Sequence, residues 1–499
     1  MIYNFNVFSK KIPEEVLKII ELLENPLVGG KFQAYLVGGC VRDLLMNREP
    51  KDWDIATSAK PHEIQKIFPD SVYENKFGTV GVKTDSADEK LKIIEITAFR
   101  LEGKYTDKRH PDEIKLAETI EEDLARRDFT INALALDITG GAAGKIIDPF
   151  GGQADIENKI IRTVGNSTER FNEDALRLMR AVRFAVQLGF EIEKETTKAI
   201  KKESGLLEMI AEERIRDELE KIIMAQNAKE GIELLEETGL LKYIIPELRE
   251  GISVGQNKHH IYNVWDHNLK SLDYAVKKNY PLEIRLAALF HDVGKPKTKA
   301  GEGPDSTFYN HEVVGAKMTA WILDRLHFSK DFTEKVVHLV RCHLFYYNVG
   351  EVTEAGVRRF LRRVGPENVD DLIKVRESDR IGSGVPKAVP YKIRHLLFMI
   401  EKVKHDPISP KMLKINGTDI MEILKIEPSQ KIGRILSVLL EEVVENPEKN
   451  IKNNLKNRIL ELGKLSETEL EKLAKQARES KDEFESGIEE KIKEKYYVK

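Results

Sequence analysis

Short apolar runs that alternate with polar residues dominate the first 165 residues of the chain. They are F-Q-A-Y-L-V ahead of Gly38, T-V-G-V-K-T from Thr79 and L-K-I-I-E-I-T-A-F from Leu91. A period of two between turn residues is typical of half-buried β-strands. The pattern therefore predicts one small mixed sheet over residues 1–165.

Beyond Gly165 the pattern changes, because apolar residues now recur three and four positions apart. Examples are A-L-R-L-M-R-A-V-R-F-A-V from Ala175 and R-I-R-D-E-L-E-K-I-I-M from Arg214. This period places apolar side chains along one face of a helix. We therefore expect an almost entirely helical continuation.

Two stretches rich in Gly and Pro interrupt the helical part, G-I-S-V-G-Q at Gly251–Gln256 and G-S-G-V-P-K-A-V-P at Gly382–Pro390. Such stretches are typical of linkers, and these two enclose most of the histidines. The predicted fold class is α+β, with a small mixed-sheet head followed by an elongated all-helical remainder. The predicted domains are a head at 1–165, a neck at 166–250, a histidine-bearing domain at 251–390 and a C-terminal tail at 391–499.

Composition narrows the class of protein further. The chain has 499 residues, 41% of them hydrophobic, which suffices for several ordinary cores. It contains no apolar run of about 20 residues and no signal-peptide pattern at its start, so we expect a cytoplasmic protein without a membrane partner. With only Cys40 and Cys342, a disulfide framework is not expected. The oligomeric state is left open.

Charge allows a local nucleic-acid site but not indiscriminate coating of nucleic acid. The formal net charge is −4. Basic residues nevertheless cluster between Arg170 and Arg183 and between Lys449 and Arg458. A shaped RNA or nucleotide site is compatible with this pattern.

The most informative short motif is D-W-D, which places Asp52 and Asp54 two positions apart. On a strand such residues face the same side, and a shared divalent cation would relieve their repulsion. Glu95, in the alternating strand from Leu91, is a candidate third carboxylate, although an exposed strand glutamate gives the same pattern. A D-x-D pair alone also arises by chance.

The residues just before this motif strengthen the interpretation. Gly38 and Gly39 end a predicted strand, and V-R-D-L-L then begins a helix. Glycine N–H groups at such a turn can approach phosphate oxygens, and Arg42 adds further donors. The combination predicts a phosphate cradle beside a metal site.

Four motifs in order resemble the bacterial class II tRNA nucleotidyltransferase and poly(A) polymerase branch of the DNA polymerase beta superfamily. They are L-V-G-G-C-V-R-D-L-L with D-W-D, R-R-D-F-T-I-N-A-L-A at Arg126–Ala135, D-P-F-G-G-Q-A-D-I at Asp148–Ile156 and E-D-A-L-R-L-M-R-A-V-R-F-A at Glu173–Ala185. The resemblance implies Mg²⁺ at the carboxylates and addition of CCA to the 3′ end of tRNA from CTP and ATP, without a nucleic-acid template.

The last motif, placed on one helix, brings Glu173, Asp174, Arg177 and Arg180 into one sector. A salt-bridged solvent face would look the same. A carboxylate can accept from the exocyclic amino group of cytosine or adenine, while guanidinium donates to the neighbouring ring acceptor. The resemblance gives this readout to Asp174 and Arg177, with Arg180 and Arg183 assisting.

Two further features are interpreted through the resemblance. Arg127 and Asp128 look like the family's sugar-recognising residues; an ordinary strand-edge ion pair is the alternative. The polar segment between Arg100 and Asp123 resembles the flexible loop of members that add the terminal A.

A second group of residues resembles the HD phosphohydrolase superfamily. It comprises His267, His291, Asp292 and Asp379, with H-D followed by V-G-K. Imidazoles and carboxylates on facing helices can enclose a divalent metal, whose identity the sequence leaves open. His311 and His343 would complete the larger ligand set of binuclear members, with His338 as an alternative to His343.

In some tRNA nucleotidyltransferases such a domain implies phosphodiesterase or phosphatase work on nucleotide 2′,3′ ends. Residues Ile415–Leu436 resemble the family's C-terminal tail that holds RNA, although a plain helical hairpin would give the same pattern. The expected function is CCA addition. The alternatives are a poly(A) polymerase, an enzyme that adds only A, or an HD-type hydrolase whose head only binds nucleotides.

Overall fold

The computed structural model describes residues 11–73, 78–103, 114–138, 144–257, 261–403 and 410–475. They form two compact units. One comprises the chain up to Arg249 with Arg325–Phe328, and the other comprises Glu250–Asp324 and the chain from Ser329 onward. None of the described helices is both long and apolar enough to cross a bilayer.

The first unit contains a seven-stranded sheet of order β3-β4-β5-β2-β1-β8-β9. Strands β2 and β5 are parallel, and the other neighbours are antiparallel. The predicted mixed sheet is thus confirmed. The strands of the chain are β1 Ala34–Val37, β2 Asp54–Thr57, β3 Ser71–Tyr73, β4 Thr79–Lys83, β5 Ile93–Ala98, β6 Arg100–Glu102, β7 Ile114–Leu116, β8 Ala135–Asp137, β9 Lys145–Ile147, β10 Ile160–Ile161 and β11 Glu191–Ile192.

Alternation along β5 explains why this sequence forms a half-buried strand. Ile94 and Ile96 are buried, whereas Ile93 and Glu95, which alternate with them, are exposed. The buried face packs into the unit's core, and the other face is free to carry polar groups.

Helices complete the first unit and continue it beyond the sheet. They are α1 Glu14–Glu24, α2 Gly39–Leu45, α3 Pro61–Ile67, α4 Ile120–Ala125, α5 Gly152–Asn158, α6 Ser167–Glu173, α7 Arg177–Leu188, α8 Lys194–Glu203, α9 Glu212–Ile223, α10 Ala228–Glu237, α11 Leu241–Ile244 and α12 Pro246–Arg249. The α+β class with a helical continuation is confirmed.

One local prediction is wrong: the motif from Glu173 is not a single helix. Helix α6 ends at Glu173, Asp174 is extended at φ −130° and ψ 107°, and α7 begins at Arg177. The Asp174 carboxylate accepts a hydrogen bond from the backbone N–H of Leu176 at 3.1 Å. This local bond competes with helix formation and stabilises the break.

The second unit is helical. Its described helices are α13 Val264–Lys277, α14 Leu282–Phe290, α15 Lys295–Thr298, α16 His311–Arg325, α17 Lys330–Cys342, α18 Glu354–Val364, α19 Val369–Gly382, α20 Tyr391–Val403, α21 Gly417–Leu424, α22 Gln430–Glu445 and α23 Lys452–Gly463. The last three helices share a core of their own that includes Ile420, Leu439 and Ile459.

Both linker-like breaks fall between helices, one between α12 and α13 and the other between α19 and α20. The four-domain division stays a prediction. Residues 104–113 of the predicted A-adding loop and the end of the charged C-terminal run, 476–499, lie outside the described residues.

Candidate active sites

The turn after β1 is the first element of the site in the head. Gly38 has φ 76° and ψ −129°, and a Cβ built there would lie 2.7 Å from Nη1 of Arg127. Only glycine combines this positive φ with so close an approach. The turn therefore brings the start of α2, with Arg42, against Arg127.

The three predicted carboxylates lie at the start of β2 and on β5. Asp54 opens β2, and Glu95 is its directly paired neighbour on the parallel strand β5. Asp52 lies in the bend just before β2 and is exposed, so the expectation that it stands on the strand is wrong. Tertiary structure shortened the strand, but the order of the carboxylates along the chain keeps Asp52 beside Asp54.

Electrostatics supports a cation at these carboxylates. Burial raises the pKa of Asp54; Arg127 opposes the rise, and Asp52 adds to it. A divalent cation would relieve both the desolvation and the repulsion, and oxygen ligands are what Mg²⁺ prefers. Asp52 and Asp54, with Glu95 beside them, therefore fit a magnesium site.

Arg127 and Asp128 follow α4 but do not pair with each other. Arg127 donates to Asp123 at 3.2 Å, while Asp128 accepts from Arg180 of α7 at 2.8 Å. Burial alone would raise the pKa of Asp128, but Arg180 and Arg177 hold it well below its usual range. Each of the two is thus in an ion pair with a residue other than its neighbour, and their role in recognising the sugar stays a prediction.

Asn132 joins this pair to the phosphate cradle and was not predicted. Its side-chain amide donates to Asp128 at 3.2 Å, and its carbonyl accepts from Arg42 at 2.7 Å. Asn132 is the last residue of the motif R-R-D-F-T-I-N, from which only Arg127 and Asp128 were predicted as site residues. The hydrogen bonds fix Arg42 and Arg180 relative to one another.

Three guanidinium groups surround the ring of Phe184 on α7. The central carbons of Arg42, Arg180 and Arg183 lie 5.4, 5.3 and 4.3 Å from its centroid. Arg183 also pairs with Glu218 of α9 at 3.1 Å, and burial, reinforced by Arg180, lowers the pKa of Arg183 to about 10. Such a cluster of cations can hold a triphosphate.

The two predicted base-reading residues have separate partners. Asp174 pairs with Arg214 of α9 through two contacts of 3.0 and 3.4 Å. Arg177 is buried and pairs with Glu173 at 2.5 Å. Arg214 was missed, because the sequence stretch around it indicated only an amphipathic helix.

The second site gathers all six predicted ligands in the second unit. They are His267 on α13, His291 and Asp292 after α14, His311 at the start of α16, His343 after α17 and Asp379 on α19. All six are buried. His338 instead bonds to the carbonyl of Val364 at 2.6 Å, so the structure places His343 and not His338 in the group.

Asp292 stands between two halves of this group. Its Oδ2 atom lies 3.1 Å from Nε2 of His267 and 3.4 Å from Nε2 of His291. Its Oδ1 atom lies 3.3 Å from Nε2 of His311 and 3.7 Å from Nε2 of His343. Within the described residues these form two potential metal-binding groups that share Asp292.

Backbone contacts aim the imidazoles inward. The Nδ1 atoms of His291, His311 and His343 lie 2.8, 2.7 and 2.7 Å from backbone carbonyl oxygens, to which they donate. A neutral ring that donates from Nδ1 presents a lone pair at Nε2. The Nε2 atoms of His267 and His291 are only 2.8 Å apart, so a proton or a cation must lie near them.

Electrostatics agrees with this fit to a metal. Burial disfavours the protonated form of His291, yet Asp292 and Asp379 raise its pKa to about 10. The half of the group around His291 thus favours positive charge, which a divalent cation would supply, whereas burial lowers the pKa of His311 and His343 and favours the neutral rings that bind a metal. Lys295 contacts Asp292 at 2.5 Å. It belongs to the G-K that follows H-D-V, but it was not predicted as part of the site.

Comparisons with known proteins agree with both sites. Residues 34–162 match the poly A polymerase head domain, 189–252 the probable RNA and SrmB-binding site of polymerase A, and 259–381 the HD domain. The CCA-adding enzyme of Lactococcus lactis subsp. lactis (strain IL1403) is 34% identical over 443 residues, which cover 88% of this chain and 96% of that protein. That of Ligilactobacillus salivarius (strain UCC118) is 48% identical over 235 residues, covering 47% and 56%.

Among solved structures, the Bacillus stearothermophilus CCA-adding enzyme in complex with CTP is similar with a TM-score of 0.63. It is 29% identical, and the match covers 90% of this chain and 96% of that one. The Thermotoga maritima CCA-adding enzyme complexed with tRNA is 20% identical with a TM-score of 0.53, covering 91% and 97%, and supports the fold alone.

Proposed function

The chain belongs to the family of CCA-adding enzymes, and we propose that it adds C, C and A to the 3′ end of tRNA from CTP and ATP, without a nucleic-acid template and with release of pyrophosphate. The observation that carries this proposal is the head site. A carboxylate group suited to Mg²⁺ lies beside a glycine turn in the family's motif order, and a relative that spans nearly the whole chain bears this name.

In this proposal Asp52 and Asp54, assisted by Glu95, hold magnesium. The bound ion would lower the cost of charge on the attacking oxygen and on the departing pyrophosphate. The chain's own donors do the positioning. The turn at Gly38 offers backbone N–H groups, and Arg42 lies beside it as a phosphate-binding cation, while Arg127, which also contacts the turn, would recognise the sugar together with Asp128.

Base selection would come from Asp174, which follows α6, and from Arg177, which begins α7. Cytosine and adenine both present an amino group that a carboxylate can accept from, whereas uracil and guanine present a carbonyl there. The ion pair with Arg214 holds the Asp174 carboxylate in one orientation, and Glu173 does the same for the Arg177 guanidinium. Arg180 and Arg183 would then bind the triphosphate from the Phe184 side.

Nucleotide incorporation tests this proposal. A tRNA that ends at the discriminator base is incubated with CTP alone, ATP alone or both; we expect two C residues, no addition, and CCA, respectively. Asp52→Asn should abolish addition, while Asp70→Asn, which changes an exposed aspartate of the same unit, should retain it. Long A tails on this tRNA or on generic RNA would instead establish a poly(A) polymerase. Addition of A only to tRNA that already ends in CC would establish an A-adding enzyme.

A second activity is favoured by the second site. The two histidine–carboxylate groups sharing Asp292 support a metal-dependent hydrolase acting on phosphate esters at nucleotide 2′,3′ ends. Asp292, Asp379 and the four histidines would hold the metal, which would supply an activated water. Lys295 places a buried ammonium at the same carboxylate, where it can contact a phosphate oxygen.

Hydrolysis of 2′,3′-cyclic CMP with added Mn²⁺ measures this activity. His291→Ala should abolish it, and His62→Ala, which changes an exposed histidine of the other unit, should not. If His291→Ala retains full hydrolysis, the proposal of a second activity is wrong. If instead Asp52→Asn leaves every activity intact while His291→Ala removes all of them, the head only binds nucleotides.

A further inference from the structure

Helix α20 presents a row of aromatic side chains to solvent. Tyr391, His395 and Phe398 are spaced four and three residues apart, which places them on one helix face. Their ring centroids lie 5.9 and 6.0 Å apart, and Tyr391 and Phe398 are each 62% exposed. Two large exposed rings on one face are unusual for a surface without a partner.

The aromatic row continues toward the second site. The hydroxyl of Tyr347 bonds to Nδ1 of His395 at 2.6 Å. Tyr347 follows the metal-binding candidate His343 by four residues, and Phe345 lies between them. Arg376 stacks over Phe345 at 5.7 Å and also pairs with Asp379 at 2.5 Å. Phe345 itself is buried, so the accessible rings end at Tyr347, and Phe345 and Arg376 connect Tyr347 through the interior of the unit to Asp379, a ligand of the proposed metal.

Positive charge accompanies these rings. Residues 384–403 contain four Lys or Arg and one acidic residue, in a chain whose formal net charge is −4. Arg394 is exposed on α20 between the rings. The Nε and Nη2 atoms of Arg363 are buried, and neither has a hydrogen-bond partner in the part of the chain that the structure describes. Arg363 lines a small cavity together with Phe345 and Tyr347.

We propose that this face, defined by Tyr347, Tyr391, His395, Phe398 and Arg394, binds the single-stranded 3′-terminal segment of an RNA. Bases of any identity stack on aromatic rings, and cations contact the backbone phosphates, so rings and cations together fit a single strand. Tyr391 and Phe398 are about 10 Å apart along the helix axis, which suits a segment of at least two nucleotides.

The consequence concerns the substrate class of the second site, and it rests on the hydrolase activity proposed above. A strand lying along the rings would place its 3′ end near Asp379 and the histidines. The site would therefore prefer the phosphorylated end of an oligonucleotide over a free mononucleotide. A surface that held a protein or a second copy of this chain would give no such preference.

Binding is tested with the full-length protein and a fluorescein-labelled nine-nucleotide RNA that cannot fold. The double variant Tyr391→Ala/Phe398→Ala should raise the Kd in fluorescence anisotropy at least about tenfold, as expected for the loss of two stacked bases. The control is Trp321→Ala, which removes a 69% exposed aromatic from α16 of the same unit. A 4-thiouridine at the 3′ end should cross-link to the second unit, near Asp379 or the histidines of the second site.

Hydrolysis separates this inference from the activity on which it rests. Two substrates are compared, an RNA ending in a 2′,3′-cyclic phosphate and 2′,3′-cyclic CMP. We expect the double variant to lower kcat/KM for the RNA, relative to kcat/KM for 2′,3′-cyclic CMP, by about tenfold. If His291→Ala hydrolyses both substrates normally, the hydrolase proposal fails, while the RNA binding is judged by anisotropy alone. An unchanged Kd, or cross-links confined to the first unit, overturns the binding proposal. An unchanged Kd with a shift in sedimentation would mark the face as a contact between copies.

Discussion

Arg214→Ala offers the sharpest test of how the protein chooses a base. In the structure its guanidinium makes two contacts with the Asp174 carboxylate, at 3.0 and 3.4 Å. Both side chains are largely buried, with 23% and 18% of their surface exposed. Solvent therefore screens the pair less than an ordinary surface ion pair. Among the described residues, removal of Arg214 leaves the backbone N–H of Leu176 as the hydrogen-bond donor to this carboxylate.

The size of the effect follows from the strength of such contacts. A hydrogen bond to a charged group contributes about 1.5–3 kcal/mol when it is sheltered from water, and about 1.4 kcal/mol corresponds to a factor of ten. If the pair's role is to orient Asp174 toward the base, most of this energy is lost from the transition state for CTP. We therefore expect kcat/KM for CTP to fall about 10- to 100-fold.

Selectivity distinguishes positioning from general damage. The assay measures kcat/KM for CTP and for UTP on the same tRNA. The ratio of the CTP value to the UTP value should be smaller in Arg214→Ala than in wild type, because UTP gains nothing from a well-oriented carboxylate. Arg214→Lys should recover only part of the ratio, since an ammonium cannot form the two-pronged contact. The matched control is Arg216→Ala on the same helix, whose guanidinium bonds to Asp217. A wild-type ratio in Arg214→Ala, or an equal loss in the control, would refute the reasoning.

Three further outcomes are expected from the electrostatics. The pKa of Asp128 is depressed in the folded state, so its ion pair stabilises the fold above a pH of about 4, and this stabilisation is lost as pH falls. Asp128→Asn should therefore lower the Tm at pH 7, and the difference in Tm between variant and wild type should narrow toward pH 3. Burial raises the pKa of Glu24 to about 7, so the folded state favours the uncharged carboxyl and loses stability as pH rises and this carboxyl ionises. Glu24→Gln should therefore raise the Tm at pH 8 relative to wild type but not at pH 4, unlike the exposed Glu21→Gln. Mn²⁺ bound at the second site, at about one hundred times its Kd, should stabilise the protein against thermal unfolding by about 2.7 kcal/mol. A chelator should reverse this stabilisation, and Asp292→Asn should abolish it.

The sequence was most informative where chemistry depends on residues close together in the chain. The turn at Gly38 was predictable because a strand, a tight turn and a helix start follow one another within a few residues. The six histidine and aspartate candidates of the second site were predicted through the resemblance to the HD superfamily, which the adjacent H-D followed by V-G-K carries. At the Gly38 turn, local spacing limits where the side chains can go.

Partners supplied by distant segments were not predictable in this way. Nothing near Asp174 in the chain indicates that its carboxylate meets Arg214, forty residues later, or that Asp128 meets Arg180 and not Arg127. The break after α6 was missed for a related reason. Helical periodicity continues through it, and a single side-chain bond to the backbone decides the local conformation.

In the proposed function, the contacts in the head also explain how transfer and selection can be altered separately. The carboxylates belong to β2, its preceding bend and β5, whereas Asp174 follows α6 and Arg177 begins α7. A network centred on Asp128 contacts Arg180 of α7 and, through Asn132, Arg42 beside the glycine turn, and it includes neither Asp52 nor Asp174. We therefore expect a triphosphate bound by these arginines to keep one position while C or A is read at the other end of the nucleotide, so that a single metal site would serve both bases.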